Sequence, residues 1–235
     1  MRWNLFIDAD DTLWENFAYF EAGRETFLNH VQERGLDRDR MGEILSVIDR
    51  DRVHEFGFGA AGFREAMRRT LMAGLADRGE QPGRADEAVL DRIQEEIRYH
   101  PIVPYPDVAD TLVALGRDHT LFLLTKGWAE EQTGKLERSG LLHYFERTFV
   151  VPDKTVDTYR NLLGELCIES GTAWMIGNSP RSDINPAAAA GMGTVLLEKD
   201  RSWDYEEVPL VHNGRFHRIR RFGELLALFK CGENV

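Results

Sequence analysis

Apolar positions along this chain follow two periodicities. Short runs at residues 3–7, 119–124, 147–151, 173–176, 194–197 and 215–219 are bounded by polar or turn-forming residues and have the length of buried strands. Residues 107–117, 129–139, 155–169, 186–190 and 222–230 instead mix apolar and charged positions at helical spacing, with Gly140 as a stop signal. Strands alternating with helices predict an α/β, Rossmann-like parallel sheet with helices on both faces. Residues 14–102 break this alternation. They read as about four helices, 20–34, 38–56, 61–76 and 84–99, punctuated by Gly35, Gly57, Gly59, Gly62 and the turn at 79–83. Pro101, Pro104 and Pro106 mark the return. The expected organisation is an α/β core of residues 1–13 and 103–235, interrupted by a helical insertion at 14–102.

Ligands of open parallel sheets sit beyond the carboxyl ends of the strands, so the polar residues there carry the chemistry. The first strand opens onto Asp8 and Asp10. Later strand ends carry Thr125-Lys126-Gly127, Asp153-Lys154 and the segment from Gly177-Asn178-Ser179 to Asp183. Two carboxylates at the rim of a core are costly unless something compensates them. A hard divalent cation is the usual partner of such oxygens. One Asp can then be a nucleophile and the other a proton donor.

Taken in order, Asp8-x-Asp10-x-Thr12, Thr125 at a strand end, Lys154 before a helix, and Gly177-Asn178 with Asp183 resemble the haloacid dehalogenase-like superfamily of hydrolases. Each piece is short; four in sequence, each at a strand end, are specific. The resemblance implies the phosphatase branch, with the helical insertion as a cap, and a site for a small phosphorylated substrate. It implies Asp8 as nucleophile forming an aspartyl-phosphate and Asp10 as general acid and then base. Thr125, Lys126, Gly127 and Lys154 would hold the phosphoryl group, with Lys154 also orienting Asp8. Asp8, Asp10 through its carbonyl, Asn178 and Asp183 would hold Mg2+. Most phosphatases of the superfamily carry Asp at the position of Asn178, so this loop supplies one negative charge fewer.

Composition narrows the partners. At 43% apolar and 29% charged residues the 235-residue chain has an ordinary globular composition, and no apolar run is long enough to span a membrane. A net charge of -11 argues against nucleic acid as a bulk partner. The start shows no signal-peptide pattern, and Cys167 and Cys231 lack disulfide or zinc spacing, which points to free thiols in a cytoplasmic, reducing setting.

Plainer readings apply elsewhere. Asp11 reads as a cap or turn residue, the cluster Trp14, Phe17, Tyr19 and Phe20 as core, and Arg50, Asp51, Arg52 and His54 as a solvated helix face. No substrate role is assigned to Arg181, and residues 201–214 carry few signals. Two alternatives to a phosphatase remain: a 2-haloacid dehalogenase using the same Asp8, which Asp10 and Asp183 argue against, and a regulatory member of the fold with little turnover.

Overall fold

The computed structural model describes residues 1–229. They divide into two compact units, one of residues 1–15 and the described residues from 102 onward, the other of residues 16–101. In the first unit, β1 (Asn4–Ile7) is followed, after the second unit has intervened, by α6 (Val108–Asp118), β2 (Thr120–Lys126), α7 (Ala129–Ser139), β3 (Arg147–Val151), α8 (Val156–Glu165), β4 (Ala173–Gly177), α9 (Asn185–Ala189), β5 (Gly193–Leu197), β6 (Phe216–Ile219) and α10 (Leu225–Leu228). The strands form one six-stranded parallel sheet in the order β3-β2-β1-β4-β5-β6. The α/β expectation therefore holds.

Period-two alternation sorts the strand side chains onto two covered faces. Leu5, Ile7, Leu121, Leu123, Trp174, Ile176, Val195 and Leu197 join one buried cluster with Val108, Leu112 and Leu225 of α6 and α10. Phe6, Phe122, Leu124 and Met175 join the other with Tyr159, Leu162, Leu163 and Ala187 of α8 and α9. Burial on both faces explains why these strands read as continuous apolar runs rather than as alternating ones.

Strand order positions the site. β1 lies centrally, with β2 and β3 on one side and β4 to β6 on the other. The chain winds outward to β3 and then returns past β1 to begin again at β4. This is a topological switch point, where the loops leaving adjacent strands diverge and open a crevice. Asp8 follows β1 directly, and its N–H donates to the Ile176 carbonyl of β4 at 2.9 Å.

The second unit contains α1 (Phe17–Glu33), α2 (Arg38–Asp51), α3 (Val53–Phe56), α4 (Ala60–Leu75) and α5 (Arg84–Arg98). Phe27, Leu45, Phe63, Met67, Leu71, Leu90 and Ile93 make its core. The expected single helix over 38–56 is two, broken at Arg52. Arg52 also overturns its reading as a solvated residue. It is 4% exposed, pairs with Asp49 at 2.7 Å and donates to the Gly57 carbonyl at 2.5 Å. Gly62 admits it: a Cβ there would lie 1.9 Å from an Arg52 guanidinium nitrogen. The closing helix expected over 222–230 resolves into the turn Phe222–Glu224 and α10, and Lys230 and Cys231 lie outside the described residues. Among the described residues no helix is long and apolar enough to cross a membrane.

Close packing between β4 and β5 supplies a test. A Cβ on Gly193 would lie 2.4 Å from Cδ2 of Trp174, whose ring is itself stacked on His217 and packed against Phe229. Gly193→Ala is expected to lower stability by about 1–3 kcal/mol through overpacking, read as a lower urea midpoint with an unchanged slope.

Candidate active site

The loop after β1 turns back on itself within a few residues. Thr12 and Leu13 N–H groups donate to the Ala9 carbonyl at 3.2 and 2.8 Å, and Asp11 N–H donates to the Trp14 carbonyl at 2.8 Å. Asp11 takes a left-handed conformation, φ +60°, which Asp tolerates better than most side chains. Its reading as a turn residue is right. The tight loop sends Asp8 and Thr12 to one place: the Thr12 hydroxyl donates to Asp8 Oδ2 at 2.9 Å and to the Asn178 amide oxygen at 3.3 Å.

Lys154 connects the separated loops. Its ammonium donates to Asp8 Oδ1 at 2.5 Å and to Asp183 Oδ1 at 2.7 Å. All three groups are buried, at 6% exposure for Asp8, 3% for Lys154 and 1% for Asp183. Asp153 caps the turn leading into α8 by accepting from the Lys154 N–H at 2.8 Å, and the Thr155 hydroxyl accepts from the Thr158 N–H. These local bonds fix where the Lys154 backbone stands.

Asp183 Oδ2 accepts from the Ser179 N–H at 3.0 Å. Only glycine permits this return, because a Cβ on Gly177 would lie 2.1 Å from that oxygen. Two carboxylates thus share one ammonium in a dry place. Burial pushes Asp8 up to about 7; the Lys154 charge opposes the rise and the Asp183 charge adds to it. Burial alone would lower the Lys154 ammonium, but the charges of Asp183 and Asp8 outweigh it and hold it above its usual range.

Asp10 sits in different company. Its carboxylate accepts from Trp14 Nε1 at 2.9 Å, Gln132 Nε2 at 3.0 Å and Lys135 Nζ at 2.9 Å. Burial raises this carboxyl, yet the Lys135 charge and the hydrogen bonds from Gln132, Lys135 and Trp14 together hold it below the ordinary carboxylate range. The two aspartates one residue apart are therefore tuned in opposite directions.

Thr125, at the end of β2, is 1% exposed. Lys126, expected at the phosphoryl group, instead donates to Ser182 Oγ at 2.6 Å and pairs with Glu206. Glu206 also accepts from the hydroxyls of Ser179 and of Ser182, the latter at 2.7 Å. Burial raises Glu206, but Lys126 and the two hydroxyls prevail and hold it low. Gly127 has φ +132°, open to glycine but strained for other residues. Arg181 lies over the Tyr205 ring at 4.2 Å.

The structure thus brings together Asp8, Thr12, Lys154, Asn178 and Asp183, with Asp10 held separately by α7. Sequence reading missed Gln132 and Lys135, whose spacing on α7 was itself a signal, since residues three apart share a helix face. It also missed Glu206, which no local pattern announces.

The donors facing Asp8 are all oxygens: the carboxylates of Asp8 and Asp183 and the amide of Asn178. Among the described residues no three His, Cys, Asp or Glu side chains converge. Such a set suits a hard cation that keeps water ligands, and is poor for zinc.

Residues 4–191 match the family model of haloacid dehalogenase-like hydrolases. The chain belongs to the haloacid dehalogenase-like hydrolases. It is 30% identical to a phosphoserine phosphatase of Thermus thermophilus over 92% of this chain and 96% of that one. It is 23% identical to a glyceraldehyde 3-phosphate phosphatase of Methanothermobacter thermautotrophicus, over 83% of this chain and 85% of that protein. A haloacid dehalogenase-like hydrolase of Xanthomonas campestris superposes with a TM-score of 0.82 at 26% identity, covering 97% of this chain and 90% of that structure.

This member of the family should show a trade of stability for charge. The Asp8 carboxyl is raised above the 3.8 of a free Asp to about 7, so between these values the folded state binds the proton more tightly. Stability contributed by Asp8 then falls as pH rises through that window and stays low above it. In chelator, Asp8→Asn is expected to be more stable than the parent by roughly 1–3 kcal/mol at pH 8, with the gain vanishing toward pH 4. Thermal melts at the two pH values check this. A gain that instead grew toward low pH would contradict it.

Proposed function

We propose that the chain is a magnesium-dependent phosphomonoesterase acting on a small phosphorylated metabolite through an aspartyl-phosphate. The single observation that carries this reading is the meeting of Asp8, Lys154 and Asp183 at the strand ends, with a second carboxylate, Asp10, seated on the same loop as Asp8. Asp8 faces Lys154, while Asp10 is held by Lys135, Gln132 and Trp14. Retention of Asp10 favours phosphoryl chemistry over halide displacement, where no leaving alkoxide needs a proton. The phosphatases among the relatives favour the same reading.

In this reading an Asp8 oxygen forms a bond to phosphorus as the ester oxygen departs in line with it. Lys154 and Thr12 hold the Asp8 carboxylate still, so the attacking oxygen is oriented before substrate arrives. The hydroxyl of Thr125 and the Lys154 charge serve the phosphoryl oxygens. Asp10, a carboxylate in the free enzyme, must take up a proton in the substrate complex, which it then gives to the departing oxygen. It then takes one from the water that attacks phosphorus, releasing phosphate and restoring Asp8. Asp8, the Asp10 carbonyl, Asn178 and Asp183 would hold Mg2+, which when bound draws negative charge from the phosphoryl group. The helical unit 16–101 enters the chain directly after the Asp8 loop, and we assign it as a cap that limits the site to small substrates.

A phosphate-release screen over phosphorylated metabolites tests the proposal. Hydrolysis is expected with magnesium and not with chelator, and Asp8→Asn is expected to reduce it by at least about a thousandfold. A folded protein silent across the panel would overturn the reading.

A further inference from the structure

Asp10 has an elaborate seat. Its two oxygens receive three donors from two directions. Trp14, fully buried, comes from the same loop, while Gln132 and Lys135 come from α7, where they are 4% and 1% exposed. A lysine this deep needs a reason, since burying an ammonium costs several kcal/mol unless it is paired. Its ammonium meets Asp10 at 2.9 Å and Glu131 on its own helix at 3.8 Å. The fold thus spends a buried cation on a residue whose role is to move protons.

We infer that Lys135 is a positioning residue: with Gln132 it fixes the Asp10 carboxylate so that one group serves both the departing ester oxygen and the attacking water. The inference rests on the phosphatase reading above. α7 begins just after Thr125-Lys126-Gly127, so the helix that seats Asp10 starts at the end of β2 that carries Thr125. Placement of the proton carrier and of the phosphate-binding strand end are thereby tied to one rigid element. The proton balance is unchanged by Lys135. Asp10 loses a proton to the leaving oxygen and regains one from water, while Lys135 remains an ammonium throughout.

Leaving groups separate this role from a structural one. p-Nitrophenolate departs without a proton, whereas an alkoxide does not. For Lys135→Met, p-nitrophenyl phosphate is expected to give a burst of about one phenolate per site, since phosphorylation of Asp8 proceeds while hydrolysis stalls. Its kcat should fall by about a hundredfold with KM falling in parallel, leaving kcat/KM nearly unchanged. With the most active alkyl monophosphate of the screen, kcat/KM itself should fall by about a hundredfold and no burst should appear. Asp10→Asn should show the same pattern, and the double variant should be no worse than Asp10→Asn alone. Lys135→Arg should restore part of the activity. Should Lys135→Met not fold by circular dichroism, Gln132→Leu should show the same pattern in weaker form. An equal loss of kcat/KM on both substrates, losses that add to those of Asp10→Asn, or no loss at all would overturn the inference while leaving the phosphatase reading standing. A parent enzyme that hydrolyses neither substrate would overturn both.

Discussion

The site depends on one buried ammonium. Lys154 lies 146 residues beyond Asp8 and 29 before Asp183, and it holds both carboxylates in a place that excludes water. Without it two negative charges would face each other across a dry gap, at a cost that removing one partner of a buried pair shows to be about 3–5 kcal/mol. With it, three loops from three strands are bound at one point. Other features of the site accommodate this pairing. Gly177 has no side chain because the Asp183 carboxylate needs the room, and Thr12 occupies the Asp8 oxygen that Lys154 leaves.

Much of the fold was legible because its signals are local. Residues buried on both faces of a parallel sheet must be apolar along their whole length, so β1, β2, β4 and β5 announce themselves. Their polar ends, Asp8, Thr125, Asn178 and Asp183, follow from the same rule. Arg52 was misread because a charged run on a helix normally meets water, and nothing nearby in sequence shows that Gly62 leaves it a cavity. Glu206 was invisible for a related reason. It belongs to a stretch without periodicity, and its partners Lys126, Ser179 and Ser182 are distant in the chain. Lys126 was placed at the phosphoryl group by its position beside Thr125, but strand alternation sends neighbours to opposite sides. The Glu206 carboxylate then claims its ammonium.

That second network has a mechanical meaning. Glu206 ties the end of β2 to the turn after β4, through Lys126 on one side and two serines on the other. Tyr159 of α8 donates to the Ser182 carbonyl at 2.9 Å, adding a brace from beneath. Lys154 and Glu206 therefore act as two clasps of opposite sign on the same turn, residues 179–183. One grips its carboxylate and the other grips its hydroxyls. A turn held at both ends keeps Asn178 and Asp183 in place while substrate comes and goes.

The central position of β1 carries a consequence for how the molecule comes into being. Its two neighbours, β2 and β4, are separated from it by the whole helical unit in one case and by most of the chain in the other. Neither pairing can form early during synthesis, because β2 begins only at Thr120 and β4 only at Ala173. Asp8 emerges from the ribosome long before Lys154 or Asp183 exists to receive it. A chain interrupted anywhere before β4 holds Asp8 without the Asp183 that shares its ammonium, so the site arrives together with completion of the sheet and not in stages.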